Sequence, residues 1–181
     1  MKKVMKEIAS TGLYLLIVLL ITWFIITFVG VRTVVDGDSM LPTLNDKDNL
    51  IVDKLTYRFK DPQRFDIIVF PFQYQEDTYY IKRIIGLPGE TVQIDENGKI
   101  YINGEVLSES YGREIIKPEY IGVAWEPVVL GEDEYFVMGD NRNNSSDSRS
   151  PIVGNIHRDD IIGRAWVRIW PFSNFGVLKH Q

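Results

Sequence analysis

A serine at position 39 lies in a segment whose composition favours an exposed turn. Residues 35–44 read VDGDSMLPTL, so that Gly37 and Pro42 bracket Ser39. Glycine and proline are typical of tight turns, and a turn would present the Ser39 hydroxyl to a substrate. A serine hydroxyl becomes a strong nucleophile only when a base takes its proton, and no such base stands beside it in the sequence. Taken alone, the segment is more typical of a structural serine than of a catalytic one.

A lysine at position 82 lies within a segment that predicts a β-strand. Residues 79–90 read YYIKRIIGLPGE, and the period of two puts Lys82 and Arg83 on opposite faces. A single lysine is by default a solvent-facing residue of an edge strand. Two adjacent cations inside a nearly continuous apolar run need an explanation, however, and a lysine held among apolar groups loses its proton more readily. A neutral Lys82 could serve as the base that Ser39 requires.

A third segment is polar and follows the apolar residues 135–138. Residues 139–149 read GDNRNNSSDSR. Short hydrogen-bonding side chains of this kind orient neighbouring groups rather than fill a core. The segment is therefore either a long polar loop or the support of a site.

Other catalytic arrangements have less support in the sequence. His180 is the penultimate residue, where order is typically poor, and His157 lies in the polar residues 155–160. A Ser-His-Asp triad is not indicated, although folding could still bring His157 to a serine. The absence of cysteine excludes disulfides, a thiol nucleophile and cysteine-ligated metals. No metal site or cofactor is predicted, because the aspartates at 36–38 and 46–48 are typical of turns.

The charge distribution argues against nucleic-acid binding. The net charge is −5; the first 32 residues carry +3 and the remaining residues carry −8. A surface that binds nucleic acid must be basic to contact phosphates. The 181 residues suffice for one domain of ordinary size.

An uncharged run near the N-terminus predicts a membrane anchor. Residues 12–31 carry no formal charge, and a helix of that length spans roughly 30 Å, the thickness of the bilayer core. The length and the lack of a clear cleavage site argue against a cleaved signal peptide, and apolarity on all sides argues against a core helix. Three lysines precede the run, so the positive-inside rule predicts a cytoplasmic segment 1–11 and an extracytoplasmic domain 32–181.

The rest of the chain predicts an all-β domain. Short β-branched and aromatic runs alternate with clusters of Gly, Pro, Asn and Asp. These runs include 50–52, 66–70, 79–85 and 135–138. The alternation on both sides of Asn97-Gly98 predicts a hairpin with a tight turn. We expect antiparallel sheets in a sandwich or incomplete barrel, with residues 91–130 as a variable β insertion.

The aromatic-rich residues 165–172 have two interpretations. They form either a strand and turn of the core, or an apolar patch that rests on the bilayer.

Three segments, in this order, resemble the signature motifs of bacterial type I signal peptidases. They are Ser-Met-x-Pro-Thr-Leu at 39–44, Tyr-x-Lys-Arg-x-x-Gly-x-Pro-Gly-Glu at 80–90 and Gly-Asp-Asn-Arg-x-Asn-Ser-x-Asp-Ser-Arg at 139–149. The likeness covers essentially the whole chain, and the single span resembles the short, Gram-positive-type members. It implies a membrane-bound serine endopeptidase that cleaves N-terminal signal peptides from secreted preproteins through an acyl-enzyme, without a cofactor.

The resemblance implies a role for each matching residue. Ser39 is the nucleophile, Lys82 is the general base, and Ser145 hydrogen-bonds the lysine amine. The remaining matches are buried supports of the site and substrate-pocket residues: Asp147, Arg149, Asp140 and Arg83 in the first group, Met40 and Pro42 in the second.

The position two residues before the nucleophile departs from the longer family members. Those members have a serine there whose hydroxyl helps to hold the oxyanion, whereas this chain has Gly37. A backbone N–H near Gly37 is therefore predicted to supply the second oxyanion donor.

The resemblance also implies the partners. The substrates are exported preproteins with small residues at positions −1 and −3 before the cut, met at the plasma membrane with the secretion translocon nearby. Ser39 follows Val31 by at most ~29 Å of extended chain, so the site lies near the lipid surface. Two alternatives remain: a self-cleaving Ser/Lys repressor-type protease, against which the span and the acidic domain argue, and a catalytically silent membrane-tethered β-module that binds exported peptides.

Overall fold

A computed structural model describes residues 2–24, 27 and 30–178. Within these residues, one α-helix precedes twelve short strands. The bounds are α1 Lys2–Phe24, β1 Gly30–Val34, β2 Asn49–Asp53, β3 Ile67–Pro71, β4 Tyr79–Gly86, β5 Thr91–Ile94, β6 Ile100–Ile102, β7 Glu105–Val106, β8 Val128–Val129, β9 Glu134–Met138, β10 Ile156–His157, β11 Gly163–Trp170 and β12 Gly176–Val177. Short 3-10 helices lie at Thr56–Arg58, Pro118–Tyr120, Gly122–Trp125, Arg158–Asp160 and Phe172–Asn174.

The helix α1 has the properties of a membrane span. Residues Lys3–Phe24 are long and apolar enough to cross a bilayer, and none of this segment is buried inside the protein. Twenty-two helical residues extend about 33 Å, slightly more than the hydrocarbon thickness. A long apolar helix without a protein core around it is expected in lipid.

The helix differs in its bounds from the predicted span 12–31. It begins at Lys2 and ends at Phe24, and residues 25, 26, 28 and 29 lie outside the described residues. Gly30 and Val31 belong to β1 instead, because their backbones pair with Asp53 and Val52 of β2.

The strands form two antiparallel sheets. The larger sheet has the order β1-β2-β11-β3-β4-β9-β10, with β12 added to β11, and the smaller has the order β7-β6-β5-β8. This confirms the predicted all-β domain behind one N-terminal helix. Among the described strands, β1 and β10 stand at opposite ends of the larger sheet and do not pair, so the barrel is incomplete.

The smaller sheet contains the predicted hairpin. Strands β5 and β6 pair Val92 with Ile102 and Ile94 with Ile100 on either side of the Asn97-Gly98 turn. Gly98 has φ +75°, and a Cβ on it would come within 2.4 Å of the carbonyl oxygen of Ile116. Only glycine meets both conditions, since the conformation is strained for other residues and no room remains for a side chain.

The core holds the two catalytic candidates in place from both sides. Strand β4 carries Lys82 and Arg83 and lies between β3 and β9, in the middle of the larger sheet. On the other segment, Val35, Met40 and Leu44 are buried in one apolar cluster with residues of β2 and β3. The turn around Ser39 is therefore anchored by buried side chains on both sides of the serine.

The aromatic residues at the C-terminal end lie in β11 and the 3-10 helix after it, with their side chains outside the core. Ala165 is fully buried, whereas Trp166, Trp170 and Phe172 are exposed. The prediction of a strand is confirmed, while the aromatic side chains form a surface. Trp170 and Phe172 contact each other edge to face at 4.9 Å.

Candidate active site

The side chains of Ser39 and Lys82 meet although they are 43 residues apart. The Lys82 Nζ lies 2.9 Å from Ser39 Oγ and donates a second hydrogen bond of 2.9 Å to the Ile81 carbonyl oxygen. Lys82 is only 4% exposed, and Ser39 is half-buried at the surface of the turn. The arrangement therefore offers a reachable hydroxyl in contact with a buried amine.

Burial changes the acidity of the Lys82 amine. It lowers the pKa of Lys82 from 10.5 to about 8, because the charged form loses its hydration. The carboxylates of Asp147 and Asp140 oppose this shift and the Arg149 guanidinium adds to it, but burial outweighs them. Roughly a fifth of such an amine is neutral at pH 7.4, against roughly one in a thousand for a free lysine.

The turn before Ser39 narrows the predicted choice of a backbone oxyanion donor near Gly37. Gly37 has φ +89°, and its N–H donates to Asp46 Oδ1 at 2.9 Å. That amide is therefore already engaged by a carboxylate. The Ser39 N–H, by contrast, has no hydrogen-bond acceptor within the described part of the chain.

Two buried ion pairs hold the third polar segment. Arg83 Nη2 lies 2.6 Å and its Nε 2.8 Å from the Asp140 carboxylate, and both side chains are fully buried. Arg149 likewise contacts Asp147 through two 2.8 Å bonds. Burial raises the pKa of Asp147, but the hydrogen bond and charge of Arg149 and the Gly139 N–H lower it more, so the carboxylate stays ionised. The Arg83–Asp140 pair joins β4 to the third segment, whereas the Arg149–Asp147 pair lies within the third segment.

Ser145 does not make the hydrogen bond that the resemblance implies. Its Oγ is buried and lies beside the Asp147 carboxylate, whose pKa it helps to lower, and the Lys82 amine contacts Ser39 and Ile81 instead. Ser145 packs over Gly139. A Cβ on Gly139 would come within 2.3 Å of Ser145 Oγ and within 2.4 Å of the Ser39 carbonyl oxygen. The close packing around Gly139 brings Ser145 near Ser39 without a bond to the lysine.

The predicted pocket residues lie elsewhere. Met40 is fully buried in the core cluster and Pro42 is exposed, and neither lines the cleft beside Ser39. This cleft has a volume of about 250 Å³. Its walls come from β1, the start of β4 and the third segment: Thr33, Val34, Val35, Tyr79, Tyr80, Ile81 and Ser146. Met40 points to the core because Ser39 and Met40, as neighbours, face opposite sides of the turn.

A strap formed by residues 107–117 covers the third segment. Glu109 forms a bidentate ion pair with the nearly buried Arg142, and the ring of Tyr111 stacks on the Arg83 guanidinium at 3.6 Å. The Arg113 N–H donates to the Asp140 carbonyl oxygen at 2.9 Å. No sequence pattern indicates these contacts, since the strap lies in the predicted variable insertion.

The histidines are not part of this arrangement. His157 is exposed on β10, and its ring contacts the carboxylates of Asp133 and Glu134 at 3.4 and 3.8 Å. His180 lies outside the described residues. Within the described residues, the titratable side chain in contact with the Ser39 hydroxyl is thus that of Lys82.

Comparison with known proteins gives consistent relatives. Residues 8–170 match the family model described as "Signal peptidase, peptidase S26". The chain is similar to "Signal peptidase I" of Leptolyngbya laminosa, at 42% identity over 96% of this chain and 83% of the relative. It is also similar to "Signal peptidase I P" of Bacillus subtilis subsp. natto, at 38% identity over 98% of both chains. A solved signal peptidase I from Enterococcus faecalis covers 58% of this chain and 97% of its own at 36% identity, with a TM-score of 0.47.

Proposed function

The chain belongs to the signal peptidase family, peptidase S26, and is a peptidase that cleaves signal peptides; on this premise we propose that Ser39 is its nucleophile and Lys82 its general base. The observation that carries the proposal is the 2.9 Å contact between Lys82 Nζ and Ser39 Oγ. The lowered pKa of the buried lysine supports it, because only a neutral amine can accept a proton. Within the described residues, no other side chain contacts Ser39 Oγ.

The proposed reaction proceeds through an acyl-enzyme. Neutral Lys82 takes the proton of the Ser39 hydroxyl while Oγ attacks the scissile carbonyl carbon. As the carbon–nitrogen bond breaks, the lysine ammonium passes that proton to the leaving amine. Lys82 then takes a proton from a water molecule that attacks the ester, and returns it to Ser39 Oγ as the ester bond breaks and releases the signal peptide's new carboxylate.

The oxyanion that forms during attack needs hydrogen-bond donors already in position. The Ser39 N–H is the candidate, because it has no acceptor among the described residues and belongs to the nucleophile itself. A fixed backbone donor stabilises developing charge without reorganising in the transition state. The Gly37 N–H is not a candidate in this conformation, since Asp46 accepts from it.

The proposed substrates are exported preproteins with small residues at positions −1 and −3. The walls of the cleft beside Ser39 include the side chains of Val35, Tyr80 and Ile81. Side chains of that size leave room for small residues and exclude bulky ones. Strands β1 and β4 border the cleft, and their backbones are suited to bind an extended peptide.

The proposed location is the plasma membrane, with the N-terminus in the cytoplasm and the β domain outside. The lysines at the start of α1 favour this orientation. The exposed aromatic side chains Trp166, Trp170, Phe172 and Phe175 are of the kind that lies at a membrane surface. We place this surface against the bilayer, near the translocon from which preproteins emerge.

The alternative function is a catalytically silent module that binds peptides. A single variant distinguishes it from the proposed peptidase. Purified wild-type chain in detergent is expected to cut a secreted preprotein once, and Ser39→Ala is expected to leave it whole, with mass spectrometry identifying the products. Ser108→Ala, at an exposed serine of the insertion, is the matched control and should cut like the wild type. Cleavage by Ser39→Ala at the wild-type rate would contradict the assignment of the nucleophile.

A further inference from the structure

Asn141 holds the backbone of the nucleophile at two points. Its side-chain Nδ2 donates to the Asp38 carbonyl oxygen at 3.0 Å, and its backbone N–H donates to the Ser39 carbonyl oxygen at 3.0 Å. Asn141 is only 3% exposed and lies more than 100 residues along the chain from this turn. A buried amide with such long-range bonds ties the third segment to the turn.

The first of these bonds determines where the Ser39 N–H points. The Asp38 carbonyl and the Ser39 N–H belong to the same peptide group, which is planar and trans, so the two bonds point in opposite directions. A donor that fixes the Asp38 carbonyl therefore also fixes the Ser39 N–H. Leu41 N–H donates to the same carbonyl oxygen, but at 3.2 Å, and the Asn141 amide is the shorter of the two bonds.

Among the described side chains around the Ser39 turn, that of Asn141 is the one that hydrogen-bonds the Asp38–Ser39 peptide. Within the described residues, no other side chain bonds to the Asp38 or Ser39 carbonyl oxygens. Asp46 restrains the Asp36–Gly37 peptide, two peptides upstream, and within the Ser39 turn Lys82 bonds only the serine side chain. The direction of the proposed oxyanion donor thus depends on one carboxamide in the third segment.

We propose that Asn141 is a positioning residue for the oxyanion hole: its carboxamide orients the Asp38–Ser39 peptide so that the Ser39 N–H meets the developing oxyanion. This inference rests on the proposed function, because it assigns the Ser39 N–H to an intermediate that forms only when Ser39 attacks. Asn141 itself contacts neither the substrate nor the reacting atoms.

The test removes the side-chain donor of Asn141 in two variants, of which Asn141→Asp keeps the shape of the side chain. Asn141→Asp presents a carboxylate oxygen to the Asp38 carbonyl oxygen, which repels it, and Asn141→Ala removes the bond. Both variants are expected to lower kcat by about 10- to 100-fold with little change in KM. This is less than the roughly 10²- to 10³-fold loss on removing an oxyanion donor, because the donor remains and only its direction is released.

Asn143→Asp is the matched control. Asn143 has the same residue type in the same segment, and its Nδ2 also donates to a backbone carbonyl, that of Ile115, at 2.9 Å. The substitution therefore makes the same charge change and removes an equivalent bond without touching the Ser39 turn. It should retain the wild-type kcat.

A pair of inhibitors separates positioning from general loosening of the fold. A peptide aldehyde forms a bond from Ser39 Oγ to its carbonyl carbon and so creates the oxyanion, whereas the corresponding peptide alcohol binds without reacting. In the Asn141 variants, aldehyde affinity should fall by the same factor as kcat/KM while alcohol affinity stays unchanged. Wild-type kcat in both variants, or equal losses for aldehyde and alcohol, would overturn the inference. Activity in Ser39→Ala would instead overturn the proposed function, so the two failures are distinguishable.

Discussion

Replacing Lys82 with methionine is expected to reduce kcat for preprotein cleavage by about 10⁴-fold or more. The variant keeps an unbranched side chain of similar length in the buried position, but it has no group to take the Ser39 proton. General base catalysis contributes about 10²- to 10⁴-fold, and members of a nucleophile–base unit tend to lose activity together. Single-turnover cleavage of a purified preprotein by the full chain in detergent measures the effect.

The same variant should be more stable, which separates lost chemistry from lost folding. The pKa of Lys82 is lowered in the folded state, so below about pH 8 the fold must bury a charge or release a proton that the unfolded chain keeps. This penalty is complete below pH 8 and disappears as the pH rises toward the unfolded value. Lys82→Met removes it and should raise the free energy of unfolding at pH 7 by up to about 3 kcal/mol.

Lys99→Met is the control for this experiment, since Lys99 is exposed in the hairpin of the smaller sheet. It should leave both activity and stability unchanged. Substantial cleavage by Lys82→Met in a folded sample would contradict the role of the lysine and return His157 to consideration.

Asp140→Ala is expected to lower the free energy of unfolding by about 3–5 kcal/mol. The substitution leaves the Arg83 guanidinium fully buried with two of its three nitrogens deprived of their carboxylate partner. The remaining partners among the described residues are the Phe65 carbonyl oxygen, the Thr43 hydroxyl and the Tyr111 ring, and none of them carries a charge. Denaturant unfolding of the full chain in detergent, followed by tryptophan fluorescence, measures the change.

Asp36→Ala is the control for the unfolding experiment on Asp140→Ala. Asp36 also pairs with a cation, Lys47, but its side chain is 87% exposed, so water replaces the lost contact at little cost. We therefore expect an unfolding curve close to that of the wild type. Equal shifts in the two variants would contradict the argument that burial makes the Arg83–Asp140 pair indispensable.

The sequence predicted those features that depend on local pattern. Alternation and turn residues located the hairpin around Asn97-Gly98 and the strands on both sides of the site, because each depends on neighbouring residues. Alternation also separated Lys82 from Arg83, and the two side chains do lead to different partners, Ser39 and Asp140. Pattern therefore sufficed for the elements that carry the catalytic candidates.

Contacts that depend on the conformation of a loop could not be predicted in the same way. Met40 was expected in a pocket but is in the core, and of the backbone amides near Gly37, that of Gly37 itself bonds to Asp46. Ser145 packs beside Gly139 rather than on the lysine. Each outcome depends on how a turn rotates its side chains and amides, and a one-residue rotation exchanges buried and exposed positions.

The contacts of the strap and of the Asn141 amide were not predictable either, because they join residues that are far apart in the sequence. Glu109 and Tyr111 reach residues of two other segments, and Asn141 reaches a carbonyl more than 100 residues away. No spacing or composition marks such pairs in one sequence, because they depend on the register of the sheets between them.

The pH dependence of kcat/KM for preprotein cleavage by the wild-type chain tests the proposed dyad most directly. A neutral lysine is required for attack, and burial lowers the pKa of Lys82 to about 8. The account predicts that kcat/KM rises with pH between 6 and 10, reaches half its maximum near pH 8 and levels off above it. A rise centred near the free-lysine value of 10.5, or a profile that is flat across this range, would contradict it.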